Sequence, residues 1–170
     1  AANVTVSVGR ASGDTDLTVS GGASLTFTSA NWNTPQTVTL AAAEDVDLVN
    51  GSAVFDVTSA GLTTVSVTST EADNDTQSLV VSATSVSVTE GLTNTFTVRL
   101  AYQPVANVTV SVARASGDAD LTVSGGASLT LTSANWDTPQ TVTLAAVGDV
   151  GLTNGLGVFE VTSAGLTTVG

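Results

Sequence analysis

SLTFTSANWNTPQTVTL, residues 24 to 40, contains two short alternating runs on either side of a turn. In SLTFT (24–28) and QTVTL (36–40), apolar Leu, Phe and Val alternate with Ser and Thr, a pattern typical of strands with one buried face. Pro35 fits a bend before the second run rather than the interior of a strand. The stretch therefore predicts two strands that pack one face against a core.

The same alternation extends along the chain. It recurs in VTVSV, VFDV, VSVT and NTFTVRL, at residues 4–8, 54–57, 86–89 and 94–100. Thr occurs 30 times and Val 27 times among 170 residues, and these β-branched types favour strands. Turn signals such as SGD, SGG and VNG separate the runs by roughly 8 to 15 residues, as in an antiparallel sandwich. Because no long window has helical periodicity, we predict an all-β protein with about seven strands in each complete β-sandwich.

The chain also contains an internal repeat. Residues 1–66 align with residues 105–170 without a gap, at an offset of 104, and 53 of the 66 positions are identical. Similarity this close is typical of a tandem array rather than of two diverged domains.

The boundaries of the repeat do not coincide with the first and last residues of this sequence. We expect residues 1–75 to form a first sandwich that lacks its N-terminal strands, and residues 76–170 a second that lacks its last strand. Missing strands would leave an unpaired edge and an exposed part of the core. Two explanations remain: the sequence is a window on a longer array, or neighbouring molecules supply the missing strands by donor-strand addition.

Composition narrows the classes of partner. The formal net charge is −12, with fifteen Asp and Glu against three basic residues, all Arg. Nucleic acids and anionic membranes need a basic surface, so neither is an expected partner, and cations are the favoured ligands. There is no Cys, and no targeting segment or apolar run near 18 residues, so we expect a soluble chain without membrane insertion. An extracellular or cell-surface location is compatible with this composition.

TEADND, residues 70–75, places Glu71, Asp73 and Asp75 at alternate positions. On an extended segment these carboxylates would share one edge about 7 Å apart, and two of them repel by roughly 0.6 kcal/mol in bulk water. All three Arg residues are distant in sequence from this stretch. Carboxylate oxygens are hard ligands, and the chain has no His, Cys or Met, so Ca²⁺ is the predicted countercharge.

Several segments together resemble a bacterial Calx-β-type repeat. They are VSVTEG (86–91), TFTVRL (95–100), ASLTLTSANWDTPQTVTLAA (127–146) and the acidic TEADND. The resemblance covers essentially the whole chain when the two copies are combined. It implies an immunoglobulin- or fibronectin-III-like Greek-key sandwich, calcium ligands in loops at one end, and a place in large secreted or surface proteins.

The resemblance also implies the ligands. In the first copy they would be Asp14, Asp16, Glu44, Asp45, Asp47, Asp73 and Asp75, beside Glu71, and in the second copy Glu90, Asp118, Asp120 and Asp149. The second copy has VGDVG where the first has AEDVD, so its site should be weaker. The alternative is that these are solvated acids of turns, where Asp is common.

The two Trp residues allow two interpretations. Trp32 and Trp136 each lie just before a predicted strand. Each is either a platform on which a sugar ring stacks or a side chain that covers the end of the sandwich core. Because only 4% of residues are aromatic, we predict the second role.

Catalysis is not expected. A nucleophilic Ser or Thr would lack a His, Lys or Cys base, and the acids have no aromatic subsites around them. The leading hypothesis is therefore a non-enzymatic, calcium-stiffened repeat module of an extracellular filament, adhesin or surface array. Such a module would associate with itself or with neighbouring repeats, and strand complementation is one route for this association. Cell-surface or matrix glycans would be further partners. The alternative is an ancillary spacer or carbohydrate-binding module of a secreted polysaccharide-degrading enzyme.

Overall fold

The computed structural model describes residues 2–148, 150 and 153–169, and it confirms the prediction of an all-β protein. Within these residues the chain forms thirteen strands in antiparallel sheets and no helix. Accordingly, no helix in the described ranges could cross a membrane. The chain divides into two compact units. Unit 1 is Ala1–Asp45 with Val49–Asn74, and unit 2 is Val46–Leu48 with Asp75–Gly170.

Unit 1 contains a four-stranded and a two-stranded sheet. Its strands are β1 (Val4–Gly13), β2 (Thr18–Gly21), β3 (Ser24–Phe27), β4 (Thr39–Ala41), β5 (Ser52–Thr58) and β6 (Val65–Thr70). The larger sheet has the order β3-β1-β5-β6, and β2 pairs with β4 in the smaller one. The buried core is small and consists of Val8, Leu17, Ala53 and Phe55.

Unit 2 contains a four-stranded and a three-stranded sheet. Its strands are β7 (Leu79–Val81), β8 (Thr93–Leu100), β9 (Val108–Gly117), β10 (Leu121–Gly125), β11 (Ser128–Leu131), β12 (Gln140–Ala146) and β13 (Gly157–Ser163). The sheet orders are β10-β12-β8-β7 and β11-β9-β13. Val98 and Val142 of the first sheet and Val110 and Leu131 of the second are each 0% exposed, and they belong to one core cluster. Two sheets that bury their apolar faces together are consistent with a β-sandwich.

The prediction of a strand at residues 86–89 is wrong. Residues 83–92 follow β7 as irregular chain and turns. Val86 and Val88 nevertheless pack against the core of unit 2 as partly buried side chains. Alternation indicates which side chains face inward, but a strand also needs a backbone partner, and this segment has none of the pairings found for the described strands.

A close backbone approach ends the long strand β1. Gly13 has φ of +92°, and a Cβ there would overlap the carbonyl oxygen of Ser52 on β5. Glycine is required at such a position because it alone adopts positive φ without strain and leaves room for the neighbouring strand. Asp14 follows directly, and its backbone N–H donates to the same Ser52 carbonyl, 2.9 Å away. The turn that carries the first predicted ligands is thereby fixed to β5.

Candidate functional site

The turn after β1 orients two of the predicted carboxylates. Asp14 Oδ1 accepts a hydrogen bond from the backbone N–H of Asp16 at 2.9 Å, an arrangement that Asp residues commonly make in turns. Both side chains are half-buried. This hydrogen bond occupies Oδ1 and fixes the Asp14 carboxylate, with Oδ2 directed towards Gly51.

Arg10 lies closer to this turn than the sequence suggested. Its Nη1 donates to the carbonyl oxygens of Gly13 and Asp14, at 3.0 and 2.9 Å. Sequence reasoning compared the Arg residues with Glu71–Asp75 and so missed a cation four residues before Asp14. The available signal was its recurrence, since Arg114 likewise donates to the carbonyl of Gly117 at 2.8 Å. In both copies the guanidinium stabilises the turn through its backbone carbonyls.

The carboxylates of Glu71 and Asp14 both lie beside the backbone of Gly51. Glu71 directly follows β6, and its N–H donates to the carbonyl of Gly51 at 2.9 Å. A Cβ at Gly51 would overlap Asp14 Oδ2 and would lie 2.8 Å from Glu71 Oε2. The absent side chain at Gly51 therefore leaves the space in which the two carboxylates approach each other.

The electrostatics of Glu71 show which other acids lie near it. Burial raises the pKa of the Glu71 carboxyl above its ordinary value of 4.5, and the negative charges of Asp45, Asp14, Asp16 and Asp73 raise it further. Glu71 Oε2 is shielded from solvent and has no hydrogen-bond partner within the described residues. A buried carboxylate oxygen without a donor is costly, so this atom is the strongest sign of a position suited to a cation.

Two further contacts fix the loops around Glu71. The backbone N–H of Asp73 donates to Asn50 Oδ1 at 2.8 Å, and Asn74 Nδ2 contacts Glu44 Oε1 at 3.5 Å. Glu44, Glu71 and Asn74 help to line a cavity of about 280 Å³ in unit 1. The acidic residues of three separate loops, after β1, after β4 and after β6, thus surround one region.

The structure divides the predicted first-copy ligands into two groups. Asp14, Asp16, Asp45 and Asp73 act on Glu71, and Glu44 is exposed and lines the adjoining cavity. Asp47 and Asp75 fall within unit 2 and are half-buried there. We refer to Asp14, Asp16, Asp45, Glu71 and Asp73 as the acidic cluster of unit 1.

The second copy reproduces the first turn of the site. Asp118 Oδ1 accepts from the N–H of Asp120 at 3.0 Å, and a Cβ at Gly155 would overlap Asp118 Oδ2. Glu90, Asp118 and Asp120 all help to line a cavity of about 800 Å³ in unit 2. The predicted ligand Asp149 lies outside the described residues.

The acidic cluster is not arranged as a preformed coordination site. Across the described part of the chain, no three His, Cys, Asp or Glu side chains form a group with the spacing of metal ligands. The donors nevertheless fit Ca²⁺ chemically, because carboxylates supply only oxygen, and the Gly51 space and Glu71 Oε2 point to one position between them.

The two Trp residues differ although their surrounding sequences match. Trp136 packs against the core of unit 2, as predicted for a residue that covers the end of a sandwich. Trp32 is 70% exposed, so the same prediction is wrong for unit 1.

Comparison with protein-family models and with curated proteins found no match to this chain.

Proposed function

We propose that this chain is a non-catalytic structural repeat module of an extracellular filament, adhesin or surface array, stabilised by Ca²⁺ and able to associate with neighbouring repeats. The observation that supports this best is the convergence of acids from three loops on Glu71, whose Oε2 is buried without a donor. The resemblance to Calx-β-type repeats suggests the same class of module.

A cation at the acidic cluster would link segments that are distant in sequence. Asp14 lies just after β1 and Glu71 just after β6, so an ion held by both links two strands of the larger sheet of unit 1 that β5 separates. A ligand that binds only the folded state adds about 2.7 kcal/mol at a hundredfold excess over its Kd. The chain's own contribution is to bring the carboxylates together through the hydrogen bonds of Asp14 to Ser52 and of Glu71 to Gly51.

The repeat supports a role in assembly. With 53 of 66 aligned positions identical, one kind of interface can be used again at each step of an array. The net charge of −12 opposes non-specific association of separate molecules until cations or specific contacts offset it.

Calorimetry tests the calcium proposal. We expect Ca²⁺ in hundredfold excess over Kd to raise the Tm of unit 1 by roughly 11 to 22 °C relative to chelator, from about 2.7 kcal/mol at about 4 to 8 °C per kcal/mol for a domain of this size. Glu71→Gln should abolish this increase, because it removes a charge while keeping the shape. Asp120→Asn in unit 2 is the matched control and should preserve it. Equal Tm values with Ca²⁺ and with chelator would refute the proposal.

Imaging tests assembly. Electron microscopy and light scattering of native material, with Ca²⁺ or with chelator, should show extended arrays in Ca²⁺ and shorter ones in chelator. Compact, monodisperse particles in both conditions would contradict an array function.

The exposed Trp32 favours one second candidate, a carbohydrate-binding module. An exposed indole is a suitable surface for stacking on a sugar ring. Glycan-array binding that is lost in Trp32→Ala, with unchanged Tm, would support this function. No binding to any glycan by the parent chain would exclude it.

A further inference from the structure

An Asn–Gly pair occurs at the same position of the repeat in both copies. Of the nine Asn residues in the chain, only Asn50 and Asn154 are followed by Gly, and they are separated by the offset of 104. Each pair lies in irregular chain shortly before a strand, β5 in unit 1 and β13 in unit 2, and both Asn residues are exposed. Such a pair is chemically reactive, because the peptide nitrogen of a residue without a side chain is free to approach the preceding side-chain amide.

The neighbouring carboxylates explain why Gly occupies the second position of each pair. A Cβ at Gly51 would overlap Asp14 Oδ2, and a Cβ at Gly155 would overlap Asp118 Oδ2. In both copies a carboxylate oxygen thus takes the space that any other residue would need for its side chain. The packing of the acids therefore requires the residue that makes the preceding Asn reactive.

A hydrogen bond in unit 1 gives the Asn side chain a structural role. Asn50 Oδ1 accepts from the backbone N–H of Asp73 at 2.8 Å, which ties the loop before β5 to the segment after β6. The same donor activates the amide carbon, because it stabilises the negative charge that the oxygen gains when a nucleophile attacks. The loop thus holds a polarised amide next to a residue without a side chain.

We propose that Asn50 and Asn154 are sites of spontaneous deamidation in the folded chain. The peptide nitrogen of the Gly loses its proton to solvent base and forms a bond to the side-chain amide carbon of the Asn. The bond from that carbon to the amide nitrogen breaks, ammonia leaves with a proton taken from solvent, and a five-membered cyclic imide remains. Water then opens the imide at either of its two carbonyl carbons, which gives Asp or isoaspartate.

In unit 1 the two products would regulate the proposed cation site in opposite directions, a consequence that rests on the proposed function. Asp at position 50 keeps an oxygen that can accept from the N–H of Asp73, and it adds a negative charge beside the acidic cluster, so cation binding should strengthen. Isoaspartate lengthens the backbone by one carbon just before Gly51, whose carbonyl accepts from the N–H of Glu71. This product should displace Glu71 and weaken cation binding.

Peptide mapping by mass spectrometry in water labelled with heavy oxygen tests the proposal. The parent chain is incubated at mildly alkaline pH in chelator, one sample folded and one unfolded in urea. We expect label at Asn50 and Asn154, and none in the same interval at Asn33 and Asn94, which are also exposed but precede Thr. Because exposed loops open at little cost, the rates at both Asn–Gly pairs in the folded chain should lie within about tenfold of the rates in urea.

The matched control is Asn50→Gln, which should take up no label at position 50 while labelling of Asn154 continues, because its imide would need a six-membered ring. Labelling of the folded chain that is more than about tenfold slower than in urea at either pair would overturn the inference. Equal labelling at Asn33 and Asn94 would overturn it too, since the Gly would then have no effect.

A calcium arm separates this inference from the metal proposal. Asn50→Asp should enlarge the Ca²⁺ response of Tm relative to the parent chain, and an equal or smaller response would refute the regulatory consequence. If the Tm of the parent chain does not respond to Ca²⁺ while both pairs take up label, the metal proposal and its regulation fail and the deamidation sites stand.

Discussion

A matched pair of substitutions, Val38→Ala and Val142→Ala, tests how much burial contributes to stability at one position of the repeat, which in unit 2 lies opposite Phe96 of β8. The two residues occupy the same position of the repeat in the shared sequence TPQTVTL. Val142 is 0% exposed between two sheets, whereas Val38 is half-buried. Each substitution removes two methyl groups, so burial alone decides the difference between them.

The expected magnitude follows from the buried area. Losing two buried methyl groups at about 0.8 kcal/mol each gives about 1.6 kcal/mol, and the cavity left between the sheets raises the cost of Val142→Ala to about 2 kcal/mol. At the half-buried Val38 the cost should be under about 1 kcal/mol, with no enclosed cavity.

Segment-resolved hydrogen exchange under native conditions measures each unit separately, and urea denaturation provides the check on global stability. Equal costs for the two substitutions in the parent chain would refute the reasoning.

Three further predictions concern the site and the Trp residues. In chelator, the raised pKa of Glu71 means that the folded state holds the proton of this carboxyl better than the unfolded state does. The resulting contribution to stability is present below pH 4.5 and is lost as pH rises through the folded pKa. Glu71→Gln should therefore flatten this part of the pH dependence of stability measured by urea denaturation. Gly51→Ala should displace carboxylate oxygens rather than backbone, so calorimetry should show a folded chain with a weakened Ca²⁺ response, whereas Gly155→Ala should leave the response of unit 1 intact. Trp136→Ala should lower Tm clearly, while Trp32→Ala should change stability by no more than about 0.5 kcal/mol, and equal effects would contradict the assigned exposures.

Part of the site could be predicted from sequence because its residues lie at fixed positions beside strands. The SGD turns place Asp14 and Asp118 directly after a long strand, and the alternation of TEADND identified Glu71 and Asp73. The role of Gly51 could not be predicted, because it depends on which loop crosses above its backbone. The exposure of Trp32 could not be predicted either, since its local sequence is almost the same as that of Trp136.

The sequence by itself determined that this protein is all-β, where most strands lie, that a 104-residue unit repeats, and which carboxylates are candidates for a cation. These properties follow from the two-residue period of side chains in strands and from identity between the copies, which are local or one-dimensional. Only the tertiary structure decided that Asp14, Asp45 and Asp73 act on Glu71, and that Val38 is half-exposed while Val142 is fully buried. Burial and electrostatic interaction depend on neighbours from distant parts of the chain, so matching positions such as Val38 and Val142 differ in burial although their local sequences are the same.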